Sequence, residues 1–309
     1  EDGDESLAPV AKVLNEYTPV KFIKKIIGFE VGEAIHEMED GDMIMLENLR
    51  SNEGEKLNDK AFSAVLASLA EVYVNDAFSV SHREHASIVG VAKLLPSYAG
   101  LQMMEEIKNL KIAFKPPRPF FFILGGVKFS TKLPLIENYL DHADAVFVGG
   151  ALANTLLVAR GDEVGASVYD KPTNAIQKLL SHPKLALPID VVVKKGKEAK
   201  NLNEINKKDM IMDVGPQTLE ILKKVIKNSE FVLWNGPLGL YEDGFDEGTR
   251  ELLEALAQSD AVSVVGGGDT VEIVNEMNMV KDFTFVSTGG GATLDFLATG
   301  TLPGIEALN

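Results

Sequence analysis

The apolar positions after Ser6 fall at helical spacing in LAPVAKVL, with Ser6 as a suitable N-cap and Pro9 tolerated in the first turn. From there the pattern alternates. VKFI predicts a strand, VGEAIHEM a helix, DMIMLEN a strand, DKAFSAVLASLA a helix and EVYVNDAF a strand. Such alternation predicts a parallel sheet with helices on both faces. GLQMMEEIKNLKIAF has helical apolar spacing and runs into the basic, proline-rich KPPRP, which predicts a connecting helix at a domain boundary. Beyond Pro119 the alternation resumes. FFFILGGVKFSTK, AVFVGGALANTLL, SVVGGGDTVEIV and FVSTGGGATLDFL each read strand, glycine cluster, helix, and EFVLWNGPLGLYE is a related strand-to-loop unit. In an open α/β sheet the carboxyl ends of neighbouring strands border one crevice, where ligands bind. The expected division is residues 1–96, a connecting helix at 97–117, a second domain at 118–297 and a tail at 298–309 that returns towards the first domain.

Composition narrows the classes. The chain has 309 residues, 45% of them hydrophobic and 25% charged, as in globular proteins. No apolar run reaches the ~18 residues that span a bilayer, and no basic segment followed by an apolar one marks a secretory signal. The absence of cysteine excludes disulfides and thiolate metal sites. A net charge of −16 argues against nucleic acid or membrane as a partner, so an anionic ligand would need local basic residues. The chain opens at Glu1 in the acidic run EDGDE, and is expected to lack its natural beginning.

Glycine clusters at four strand ends imply close backbone approach to something bulky and anionic, since helix N-termini favour negative charge. Tight turns alone would explain any one cluster, but ordinary turns also use Asn, Asp and Ser. GGVKFSTK sets Lys128 and Lys132 across a helix start, although no P-loop motif occurs in the chain. Two ammonium groups there oppose the helix dipole unless an anion lies between them; the plainer alternative is two solvated lysines. In GGGDT the carboxylate of Asp269 sits where an anion should bind. WNGPLGLYE holds Trp234, read as core packing, then Asn235, Gly236 and Pro237, and leads to Glu242, which could accept hydrogen bonds from a ribose. In the first half, LENLR ends in Arg50, and NDAFSVSHREHAS carries His82, Arg83 and His85. Arginines at strand ends suit carboxylates and phosphates, with surface salt bridges as the alternative. The histidines lack a third metal ligand nearby.

LENLR, VNDAF with HREHAS, ILGGVKFSTK, WNGPLG, VVGGGDT and STGGGAT match, in order, the signature segments of phosphoglycerate kinase; SLAPVAKVL and LPGIEAL match too. The chain therefore resembles that family over essentially its whole length. The resemblance implies two doubly wound, Rossmann-like α/β domains joined by a helix and hinge, and reversible phosphoryl transfer between 1,3-bisphosphoglycerate and Mg-ADP. It implies that Arg50 and Arg83 bind the phosphoglycerate with His82 and His85 in support. Lys128 would stabilise the transferring phosphoryl group and Lys132 the nucleotide phosphates. Gly125, Gly126, Asn235, Pro237, Gly267 and Gly268 would belong to the nucleotide site, with Gly149 and Gly150 bordering the adenine and Glu242 holding the ribose. Asp269 would bind Mg2+ and Thr270 the phosphates, while Gly289, Gly290 and Gly291 present helix N–H groups to the transition state. A magnesium ion between Asp269 and the phosphates accounts for a carboxylate at that position. The implied protein is a cytoplasmic monomer acting on small molecules.

The chain departs from the family pattern in two absent segments and three substituted positions. The family's early segments ending Asp-Phe-Asn-Val-Pro and His-Leu-Gly-Arg-Pro do not occur, so the first domain is expected to be incomplete. Thr131 stands where many members have aspartate, Glu84 where alanine is usual, and Ser79 where glycine is common. One alternative is a non-catalytic nucleotide-binding fragment. Another is a dinucleotide-dependent dehydrogenase, but no strand end has the G-x-G-x-x-G spacing with an acid about 20 residues on.

Overall fold

The computed structural model describes residues 6–308, without the side chains of residues 130 and 131; the EDGDE run and the Thr131 side chain lie outside the described residues. The chain divides into two compact units, residues 1–105 with 301–309, and residues 106–300.

The first unit opens with α1 (Ala8–Leu14), whose start is tied down by Glu47, which accepts from Ser6 Oγ and Leu7 N. Strand β1 (Lys21–Ile23) pairs in parallel with β2 (Ile44–Leu46) across α2 (Phe29–His36). After α3 (Glu53–Lys56) and α4 (Lys60–Ala67), β3 (Tyr73–Asn75) pairs in parallel with β4 (Ser97–Ala99). These strands form two separate two-stranded ladders. Phe62, Leu66, Ala67, Ala86 and Val91 make one core cluster, and Asp59 caps α4 through Phe62 N. Helix α5 (Leu101–Leu110) leads into the second unit.

Nine strands build the second unit. Six parallel strands form the main sheet in the order β13 (Phe285–Val286), β12 (Val262–Gly266), β11 (Phe231–Asn235), β5 (Phe120–Leu124), β6 (Ala145–Val148), β7 (Leu185–Ala186). Every residue of β5 and β11 is buried, as befits central parallel strands covered on both faces. The two-residue period sorts them. Phe121, Ile123, Val232 and Trp234 face a core closed by α9 (Pro216–Lys227), α10 (Glu247–Ala257) and α11 (Gly268–Glu276). On the other face Phe120 and Phe122 meet Tyr139 of α6 (Phe129–His142) with ring centroids 5.7 and 4.5 Å apart. Trp234 is fully enclosed, its indole N–H donating to Gly236 O at 2.8 Å, so it packs the core.

The chain runs from β5 outward through β6 and α7 (Gly150–Arg160), passes α8 (Asn174–Leu180) and β7, and returns on the other side of β5 with β11. That reversal between β5 and β11 is the topological switch point of an open α/β sheet. Between β7 and β11 the chain adds a smaller antiparallel sheet, β10 (Ile211–Val214), β8 (Asp190–Val193), β9 (Glu198–Asn201). The pattern EAKN of β9 is polar and lacks an apolar alternation, so this strand is invisible to periodicity. Helix α12 (Gly291–Thr299) ends the unit, and α13 (Pro303–Glu306) rejoins the first, where Gly304 N donates to Ser81 O at 2.8 Å.

Candidate active site

At the switch point, β5, β6, β12 and β13 each hand over to a helix: α6, α7, α11 and α12 all start at the carboxyl edge of the sheet. Their amino ends carry the positive end of the helix dipole, although the first N–H of α6 and of α7 are already accepted by Asp170 Oδ2 and Leu238 O. A cleft of about 550 Å3 opens here. Its lining brings together Gly126, Lys128, Lys132, Gly150, Asn235, Pro237, Glu242, Gly267, Gly268, Asp269, Gly290 and Gly291. Gly125, Gly149, Thr270 and Gly289 stand just behind that surface, all buried.

Some of the glycines answer to the protein's own packing. A Cβ on Gly125 would lie 2.0 Å from Pro237 O, and one on Gly236, at φ +90°, would lie 2.5 Å from Gly125 O. Backbone meets backbone there, so the turns themselves require glycine. Gly268 differs: it has ordinary φ, and nothing lies within 4 Å of its would-be Cβ. The tight-turn explanation therefore covers the floor of the cleft but not the first residue of α11.

Lys128 sits at the N-cap of α6, exposed. Lys132, one turn further, donates from Nζ to Gly125 O at 2.6 Å. Burial pushes its pKa down to about 8, against the pull of the Asp269 carboxylate in the opposite direction. Asp269 is the exposed second residue of α11. Among the described residues no group of three or more His, Cys, Asp or Glu could hold a metal by itself. A carboxylate on this glycine-rich, cationic rim suits Mg2+, which takes one or two carboxylates and completes its shell with phosphate oxygens and water. Behind these groups the Thr270 hydroxyl and the Asn235 amide nitrogen are enclosed and lack a hydrogen-bond partner among the described residues. Buried polar atoms are rarely left unpaired, so Asn235 at the end of β11 and Thr270 in the first turn of α11 mark a polar site.

The rest of the cleft is apolar. Leu157 and Val168 on one side and Val191, Ile211, Met212 and Leu240 on the other line it. An apolar slot joined to a glycine-rich cationic rim fits a ligand with a flat apolar end and an anionic end. The wall formed by β8 and β10 was outside the reach of motif reading. It includes Asp213, whose carboxylate accepts from Val214 N and Gly248 N at 2.8 and 2.9 Å. Burial nonetheless outweighs those bonds and pushes Asp213 up to about 7.

A second residue outside the motifs is Glu106 of α5, fully buried. Its carboxylate accepts from Ser287 Oγ at 2.7 Å, Thr288 N at 2.8 Å and Thr288 Oγ1 at 3.1 Å. These bonds fix the turn that feeds Gly289, Gly290 and the start of α12. No local pattern in GLQMMEEIKNL distinguishes this acid from Glu105.

In the first unit, Arg50 lies in a single 3-10 turn after β2, its N–H accepted by Asn48 Oδ1 at 3.1 Å. His82, Arg83 and His85 lie between two further short turns, Phe78–Val80 and Ala86–Gly90. His85 Nδ1 is 3.7 Å from Glu55 Oε1. Burial lowers the His85 pKa, Glu55 opposes that, and the nearby charges of Arg50, Arg83 and Lys56 lower it further. The fold thus brings Arg50, Arg83 and His85 into one neighbourhood and adds Lys56 and Glu55, which carry no motif. Glu55 in turn is held by Ser87 N and Ser87 Oγ at 2.9 and 2.6 Å. Ser79 and Glu84 are exposed.

The family model described as phosphoglycerate kinase matches residues 1–300. A phosphoglycerate kinase of Dictyoglomus turgidum is 41% identical over 322 residues, covering 99% of this chain and 81% of the relative. One from Syntrophobacter fumaroxidans is 42% identical over 320 residues, covering 98% of this chain and 81% of the relative. Among solved structures, phosphoglycerate kinase from Pyrococcus horikoshii superposes with a TM-score of 0.88 at 30% identity, covering 98% of this chain and 82% of that one. The enzyme from Coxiella burnetii gives 0.84 at 35% identity, covering 99% and 82%. With a family model matching residues 1–300 and relatives above 40% identity over nearly its whole length, the chain belongs to the phosphoglycerate kinase family.

Proposed function

We propose that this chain catalyses reversible phosphoryl transfer between 1,3-bisphosphoglycerate and ADP, with the nucleotide in the cleft of the second unit and the phosphoglycerate on the basic groups of the first. The observation that supports it most is the two-part cleft. Its apolar slot suits a purine, and its rim of helix N-termini, Lys128 and Lys132 suits a polyphosphate. Gly149 and Gly150 border the base, Glu242 accepts from the ribose hydroxyls, and Gly267, Gly268 and Thr270 serve the phosphates with Gly125, Gly126, Asn235 and Pro237. Arg50, Arg83, His82 and His85 hold the phosphoglycerate. We read the protein as a cytoplasmic monomer; among the described residues no helix is long and apolar enough to cross a membrane.

An oxygen of the ADP β-phosphate attacks the acyl phosphate, the P–O bond to the carboxyl group breaks, and the carboxylate leaves with its electron pair. No proton moves and no side chain forms a bond. Catalysis of this kind is positioning and charge stabilisation. Lys128, exposed at the mouth of α6, supplies positive charge to the moving phosphoryl group, and the amides of Gly289, Gly290 and Gly291 supply fixed dipoles. Asp269 would hold Mg2+, which when bound neutralises phosphate charge.

The direct test is an assay of the full chain with ATP and 3-phosphoglycerate. Lys128→Ala should lower turnover by about 100-fold or more while leaving nucleotide affinity nearly intact, because its contact belongs to the transition state. Equal losses in binding and rate would make it a ground-state contact. Asp269→Asn should weaken nucleotide binding strongly with magnesium present and not in its absence, because the amide keeps the shape and loses the charge. An equal loss under both conditions, read by titration calorimetry, would make Asp269 a structural cap.

A further inference from the structure

Glu242 is exposed in the turn at residues 240–246, between β11 and α10. Neighbours on three sides hold that turn. Strand β10 receives its start, with Leu240 N donating to Met212 O at 2.8 Å. On another side, Tyr241 OH donates to Glu276 Oε1 at 2.6 Å, which ties the turn to α11. The third hold comes from the connection between β8 and β9. Lys194 Nζ lies 2.8 Å from Asp243 Oδ2, and Lys197 Nζ donates to Gly244 O at 2.9 Å while standing 5.0 Å from the Phe245 ring centroid.

Neither lysine lines the nucleotide cleft. Both side chains instead end on the segment that follows Glu242 directly. An exposed ion pair alone contributes little. Here the same hairpin makes a second bond, to a main-chain carbonyl, and a cation–aromatic contact beyond it. Three contacts from one connection to three consecutive residues remove freedom from the turn before any ligand arrives. Ordering that is already present in the free protein does not have to be supplied on binding. The connection between β8 and β9 thereby acts on the Glu242 turn without itself lining the cleft.

We propose that Lys194 and Lys197 are positioning residues that set where Glu242 meets the nucleotide, and so govern how strongly the protein distinguishes a ribose from a sugar without hydroxyls. The proposal rests on the reading of Glu242 as the ribose acceptor.

The test compares binding of ADP and 2′,3′-dideoxy-ADP to the full chain by calorimetry, in wild type, Glu242→Gln, the double variant Lys194→Met with Lys197→Met, and the triple variant. Methionine keeps an apolar stem at these exposed positions, and a thermal melt checks folding. The expected result is that the double variant weakens ADP about fivefold, leaves the dideoxy analogue unchanged, and adds nothing to Glu242→Gln. Lys194→Arg with Lys197→Arg, which keeps both charges, should restore the ribose preference. If Glu242→Gln removes the preference and the double variant keeps it, the positioning role is overturned while the reading of Glu242 stands. Loss of both ligands alike in the double variant also overturns it, since that is general destabilisation. If Glu242→Gln keeps the wild-type preference, the reading of Glu242 falls and takes the proposal with it.

Discussion

Lys132 is an ammonium kept partly out of water, with a pKa already near 8. A nucleotide phosphate placed beside it favours the charged form and raises that pKa. Binding at pH 8 should therefore draw in protons, and affinity should fall as pH rises through 8 and the free protein loses its charge. Calorimetry in two buffers of different ionisation enthalpy would read the uptake; Lys132→Met should abolish it, and Lys132→Arg should flatten the pH dependence. A pH-independent wild-type affinity between 7 and 9 would refute this. At this scale residue type and glycine neighbours singled out Lys128, Lys132 and Asp269, which the fold gathers on one cleft. The sequence was not legible in this way for Glu55, Glu106 or Asp213. Each is an acid whose importance comes from burial, and burial depends on which distant segment lies opposite.

Glu106 shows how one element sets another. It lies in α5, yet its three bonds hold residues 287 and 288, immediately before the glycines that open α12. Glu106→Gln keeps the volume but cannot accept at both oxygens, so Thr288 N or the hydroxyls lose their acceptor. Turnover should drop by about 10-fold or more with nucleotide affinity little changed, and stopped-flow measurement of the transfer step would show it. Nucleotide affinity falling in parallel with turnover would place the effect on the whole unit instead. The helices and central strands of the second unit were readable from periodicity because buried parallel strands are almost purely apolar, as in FFFIL and FVLWN. The small antiparallel sheet was not. β8 and β10 are short and largely buried, β9 is polar and largely exposed, and its register is set by pairing with β8.

For the molecule as a whole, the cleft and every group assigned to the nucleotide fall within residues 106–300, a compact unit with its own core. Expressed alone, that segment should fold and bind Mg-ADP with an affinity within about tenfold of the full chain. A folded segment without magnesium-dependent binding would count against the assignment. The alternating strands and helices and the ordered signature segments made the two-part α/β architecture readable, whereas the pairing of the first unit's strands into two separate ladders was not, because no residue pattern states which strands are neighbours. The main-chain floor at Gly125 and Gly236 has a further consequence for inheritance and pharmacology. Those positions offer no side chain to vary, and a Cβ on either would collide with a carbonyl oxygen. An inhibitor anchored on the Gly236 main chain, which lines the cleft with Gly125 packed behind it, would leave few viable escape mutations, while one that reads the Glu242 turn could be evaded by a single substitution.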